Sequence, residues 1–161
     1  MEKPKFVYVT LIDTTPEKLW AALTSPEFTA QYWYGARIHS TWQVGSPVTF
    51  DDAGGDLLAG EVLKVDPPRT LSYTFQPLRD AEQRAERPSR VTFEIETLGA
   101  GPGPQGSAVK LTVTHDDFPE NSKVIQGISN GWPGILSSLK TLLETGRALG
   151  LTKTCGGGEK H

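Results

Sequence analysis

The scarcest side chains in this sequence are cysteine and methionine, one of each in 161 residues. The lone Cys155 excludes a disulfide within the chain and suits a reducing compartment, so the cytoplasm is the expected location. It stands in "TCGGGEKH", a glycine-rich end read as a flexible tail over residues 151–161. Histidine is nearly as rare: His39, His115 and His161 lie far apart, and with one cysteine they form no transition-metal constellation. A basic excess is also missing. The formal net charge of −3 argues against a nucleic-acid partner, which would need a cationic footprint. No apolar run approaches the ~20 residues of a membrane span, and "MEKPKFVYVT" lacks the apolar core and cleavage site of a secretory signal. Neither a membrane nor a metal or other cofactor is expected.

What is present describes an ordinary globule, 37% hydrophobic and 22% charged, of a size for one domain over residues 1–150. "FVYVTLI" is a β-branched and aromatic strand. Thr15-Pro16-Glu17 and Ser25-Pro26-Glu27 each offer a cap, a proline at the first helical position and an early acid, which predicts two short helices in tandem. From Ala36 to His115 six β-rich segments alternate with turn chemistry: "RIHSTW", "PVTFD", "LAGEVLKVD", "TLSYTF", "RVTFEIE" and "SAVKLTVTH". The Arg79–Arg87 run is helix-forming in composition but has no apolar face, so a solvated loop is expected. Ile128, Trp132, Ile135, Leu136, Leu139, Leu142 and Leu143 then recur every three or four residues and predict one long amphipathic helix. Pro133 is tolerable near its first turn or marks a kink, and Gly146 loosens its end. The expected fold is α+β: a curved antiparallel sheet of about seven strands wrapped around a long C-terminal helix, with two short helices after the first strand.

Three motif matches fail on context. "GISNG", Gly127–Gly131, fits the expression of a nucleophile elbow, but no buried strand precedes Ser129. "GPGPQG", Gly101–Gly106, fits a dinucleotide loop but is followed by a strand, so a hairpin turn is expected. "DDAGGD", Asp51–Asp56, lacks the spacing and final glutamate of a calcium loop.

The element order and the pieces "TPEKLWAALTSPE", "QYWYG", "WQVGSPVTF", "GEVLKVDPPRTLSYTF", "VTFEIE", "LTVTHDDFP" and "NGWPGILSSLKTLLE" together resemble the START-related (SRPBCC) helix-grip superfamily. Within it the chain is similar to the family named after the C-terminal domain of the activator of Hsp90 ATPase. Two departures stand out. The Asn-rich motif of the eukaryotic co-chaperone's additional domain is not in these 161 residues, and Pro77–Ser89 is longer than the family's corresponding loop.

The resemblance implies a pocket between sheet and helix for a small apolar or amphipathic ligand, without implying one reaction. It also orients the strand faces inward: Phe6, Tyr8, Thr10 and Ile12 on the first strand, and Val109, Leu111, Val113 and His115 on the last. Candidate ligand contacts are Tyr8, Trp33, Phe50, Tyr73, Phe75, Phe93, His115, Trp132 and Leu136. His115 is the polar exception on an apolar face. It is open to three readings: a structural histidine bonded to a backbone carbonyl or to Asp117, a ligand anchor, or a general base, for which Glu61, Asp116 and Asp117 are candidate acids whose positions across the sheet the sequence does not place. Three functions follow in order of expectation. The first is non-catalytic binding of a small lipophilic molecule, with a stress role through the family. Next comes a co-chaperone-like interaction module. Last is a cyclase, aromatase or hydrolase using His115. The candidate protein partners are a chaperone and a second copy in a homodimer.

Overall fold

The computed structural model describes residues 4–98 and 108–150. Cys155, His161, the expected tail and the Gly101–Gly106 turn lie outside them.

Seven strands form one antiparallel sheet in the order β1-β7-β6-β5-β4-β3-β2. They are β1 (Phe6–Ile12), β2 (Arg37–His39), β3 (Pro47–Asp52), β4 (Gly55–Asp66), β5 (Thr70–Pro77), β6 (Ser89–Leu98) and β7 (Ala108–Asp116). Every neighbour from β2 to β7 is the next strand in sequence, whereas β1 joins the far edge beside β7, running Phe6↔His115 to Ile12↔Val109. The expected α+β helix-grip architecture is therefore the observed one. Alternation on β7 is strict: Val109, Leu111, Val113 and His115 are buried while the residues between them are half-buried. A period of two leaves one face for the core and one for water. Gly60 sits in β4 where a Cβ would collide with the Thr74 carbonyl of β5, so the close approach of these two strands requires glycine there.

Helices α1 (Pro16–Thr24) and α2 (Pro26–Tyr32) start as the two Pro-containing signals predict. Thr15 caps α1 by accepting from the Lys18 amide at 3.2 Å. A third short helix, α3 (Ala81–Arg84), corrects the expectation of a plain loop over Arg79–Arg87. Its single turn needs no apolar face, because Asp80 Oδ1 accepts from the amides of Glu82 and Gln83 at 2.9 and 3.1 Å. The long helix α4 (Val124–Thr145) starts one turn earlier than "GISNG". Pro133 is its tenth residue, well past the first turn, where its missing N–H leaves the Ser129 carbonyl without a helical donor. Gly146 closes α4 in the left-handed conformation at φ 88°, its N–H on the Leu142 carbonyl at 2.8 Å.

The buried face of α4, from Ile128 through Trp132, Leu136 and Leu139 to Leu142, packs into the concave face of the sheet and against α1 and α2. Its far half also closes part of the free edge of β1: Lys140 Nζ donates to the Leu11 carbonyl at 2.7 Å and the Asp13 amide donates to Glu144 at 2.9 Å. Among the described residues no helix is long and apolar enough to cross a membrane.

Candidate functional site

At the centre of the core lies a chain of four groups whose donors and acceptors are all determined. The indole N–H of Trp132 donates to His115 Nδ1 at 3.0 Å. An indole nitrogen can only donate, so Nδ1 must be the bare acceptor and the imidazole must be neutral with its proton on Nε2. That proton goes to Ser89 Oγ at 2.7 Å, and the Ser89 hydroxyl donates to the Phe75 carbonyl at 3.2 Å. His115 is fully buried, with Phe75 against its edge at 4.6 Å between ring centroids and Phe118 stacked on it at 4.9 Å. Burial pushes its pKa from 6.5 down to about 3, against a weaker opposing pull from Asp116.

The structural reading of His115 is thus the one the geometry favours, though with other partners than expected. Asp117 takes φ 65° just after β7 ends, and its carboxylate turns out to Arg87 at 3.1 Å. Asp116 points to the opposite face of β7 and pairs with Arg90 at 2.8 Å; the Arg90 guanidinium holds its carboxyl below the usual carboxylate range. Both ring nitrogens are engaged inside the core and the residue is 0% exposed, so neither nitrogen is presented at the surface.

Beside this chain a cleft of about 500 Å³ opens between the first half of α4 and the ends of β4 and β5. Its floor and walls are Trp33, Leu58, Phe75, Val124, Ile128, Trp132 and Ile135; its rim is Leu57, Pro77, Arg79, Asp80, Gln83, Gly127 and Gly131. The volume falls within the roughly 300–1,000 Å³ usual for small-molecule sites, and so does the balance of an apolar wall with a few polar groups. Trp33 meets the edge of Trp132 at 5.2 Å and lies on Phe50 at 4.7 Å, so both indoles are fixed by aromatic packing.

Of the nine candidate ligand contacts, then, Trp33, Phe75 and Trp132 reach the cleft wall. Phe50, Tyr73, Phe93, His115 and Leu136 form the layer behind it, buried to 2% exposure or less, and Tyr8 is half-buried on β1 against Phe6. The rim groups were not anticipated. The nearest sequence signal for them was "GISNG" itself: Gly127 and Gly131 stand one turn apart in a long helix and face the cleft, and Ser129, between them, is exposed with its hydroxyl on the Ile125 carbonyl.

The Pro77–Ser89 segment supplies the roof. Arg79 bonds across to Asp52 of the β3–β4 hairpin at 2.6 Å. Gln76 ties the segment back on itself through the carbonyls of Arg84 and Glu86, both at 2.9 Å. Glu86 accepts from the Ser122 hydroxyl at 2.7 Å and from the Lys123 amide at 2.6 Å, a carboxylate at the amino end of α4. Arg87 completes the strap on the carbonyls of Asp117 and Phe118. No group of three or more metal-ligating side chains occurs among the described residues.

The model of the activator of Hsp90 ATPase homolog 1-like family matches residues 13–144. The chain belongs to this family. A protein of Mesorhizobium loti with a solved structure is 30% identical to this member of the family, with a TM-score of 0.68 over 87% of this chain and 96% of that one. The Aha1 dimer of Colwellia psychrerythraea shares 22% identity at a TM-score of 0.68, over 90% of this chain and 99% of that one. An Hsp90 activator of Plasmodium falciparum shares 20% at 0.64, over 86% and 95%. These last two share the fold of this activator-like domain. No curated protein matches the chain.

Proposed function

We propose that this activator-like domain binds a small apolar or amphipathic molecule, without transforming it, in the cleft between α4 and the β4–β5 end of the sheet. The observation that carries the reading is the cleft itself: about 500 Å³ lined by Trp33, Phe75, Trp132, Ile128 and Ile135. Its apolar walls stand in contact with solvent, and covering them with an apolar ligand removes that surface from water. The His115 chain supports binding rather than turnover. It holds the Trp132 ring as a fixed wall, and its imidazole offers the cleft neither an acid nor a base. The test is a thermal and tryptophan-emission titration with the small-molecule fraction of the cells that make the protein. A ligand that raises the melting temperature of the wild type and not of Gly131→Leu, which fills the cleft, supports the reading. Equal shifts in both proteins contradict it.

A second reading, contact with an Hsp90-type chaperone or a second copy, has one feature in its favour besides the family. Val7, Val9 and Leu11 stand about half exposed along β1, an edge strand with only β7 as neighbour. Sedimentation of the protein alone and with the chaperone at tens of micromolar tests it, and sedimentation as a monomer in both runs contradicts it.

A further inference from the structure

The rim of the cleft contains one cation, Arg79, and it is already engaged. Nη2 and Nη1 grip the two oxygens of Asp52 at 2.6 and 3.3 Å, Nη2 also donates to the Gly55 carbonyl at 2.8 Å, and Nε donates to the Asp56 carbonyl at 3.1 Å. These bonds occupy four of the five N–H groups that a guanidinium has. The Asp52 side chain is only 3% exposed, so pulling Arg79 toward a ligand would break a bidentate ion pair to a buried carboxylate. Asp80 adds a second negative charge at the rim, its Oδ1 occupied by two amides of α3. An anionic headgroup entering here meets a cation already paired with Asp52 and a second carboxylate, Asp80.

Gln83 is different. Its side-chain amide makes no hydrogen bond with any described residue, and it stands over Gly127, where an added Cβ would come within 3.3 Å of Nε2. One turn on, a Cβ at Gly131 would meet nothing within 4 Å. Between the Gln83 amide and the Trp132 ring, α4 thus presents bare backbone, a flat notch on the cleft side. Two interior glycines cost a helix about 1 kcal/mol each relative to alanine; the space left at Gly131 is open, and that at Gly127 is bordered by the Gln83 amide.

We infer that the ligand is uncharged and planar, lying across Gly127 and Gly131 against Trp132, with the free amide of Gln83 rather than Arg79 as its hydrogen-bond partner. This rests on the binding reading above and adds the chemical class of the occupant.

Two fluorescent probes with the same frame separate the two claims: neutral N-phenyl-1-naphthylamine and 8-anilino-1-naphthalenesulfonate, which differ by one sulfonate. The neutral probe binds at least tenfold tighter to the wild type. Gly131→Leu abolishes its binding, and Gly131→Ala weakens it while raising the melting temperature, a pairing that a merely unfolded variant does not give. Gln83→Leu lowers its affinity several-fold, because its N–H loses the amide oxygen as acceptor. Asp52→Asn, which removes the charge that neutralises Arg79, narrows the gap between the probes. If the sulfonate binds as tightly as the neutral probe and both are lost in Gly131→Leu, the cleft is a binding site and the uncharged class is overturned. An affinity unchanged in Gln83→Leu overturns the role of that amide. If neither probe responds to Gly131→Leu, the binding reading fails and this inference falls with it.

Discussion

Acid should unfold this protein through His115 before its carboxylates matter. The perturbation is a drop from pH 7 to pH 5. In the folded protein the imidazole is neutral, with a pKa of about 3 set by burial, whereas in the unfolded chain it titrates near 6.5. Above 6.5 both states hold the ring neutral and no stability depends on it. As pH falls below 6.5 the unfolded state takes up a proton that the folded state refuses, so stability declines at up to about 1.4 kcal/mol per pH unit until the folded pKa is reached. At pH 5 this one residue has removed about 2 kcal/mol, a sizeable share of the roughly 5–15 kcal/mol of a typical domain. The structural reason for refusal is specific. A second ring proton would sit on Nδ1 and face the Trp132 N–H at 3.0 Å, donor against donor. The assay is urea unfolding of the wild type and His115→Gln at both pH values. Glutamine offers an oxygen to Trp132 and an N–H to Ser89 but does not titrate. All other pH effects are common to the pair, so the wild type should lose about 2 kcal/mol more than the variant. Equal losses in the two proteins would refute the argument that His115 is held neutral by its partners.

Other consequences are testable by the same means. Trp132→Phe strips the only donor to His115 Nδ1 among the described residues, and urea unfolding should show a loss of about 1–3 kcal/mol from an unpaired buried acceptor; a loss under half a kilocalorie contradicts the chain. Glu86→Ala removes the carboxylate that accepts from Ser122 and Lys123, so the amides at the start of α4 should exchange faster and stability should fall by about 1–2 kcal/mol. Unchanged exchange at Val124–Gly127 would show that the strap does not hold that end. Gly146→Ala forces a Cβ into a left-handed residue at φ 88° and should cost about 1 kcal/mol in a thermal or urea melt.

The fold was legible because its signals are local. A period of two on β7 and of three to four on α4 marks the faces that bury, and Pro at the first turn marks both short helices. The site was legible only where it is made of large side chains: Trp33, Phe75 and Trp132 stand out in a sequence, whereas the space between them does not. Its remaining walls come from three separated segments, and two of its defining positions, Gly127 and Gly131, act by having no side chain. His115 shows the same limit from another direction. Its place on the inner face follows from alternation, but its partners depend on register, which sets Val91 opposite His115 and Phe75 opposite Ser89. Ser89 thereby comes diagonally across to Nε2, and no pattern within one strand encodes that diagonal. The α3 turn was missed because its stability comes from Asp80 and the strap bonds rather than from an apolar face.

The most direct test of the account is native mass spectrometry of the full chain purified gently from its own cells, alongside Gly131→Leu purified in the same way. The account predicts a mass excess in the wild type that is lost on denaturation and absent from the variant. A bare mass in both, or an excess retained by the filled cleft, would contradict it.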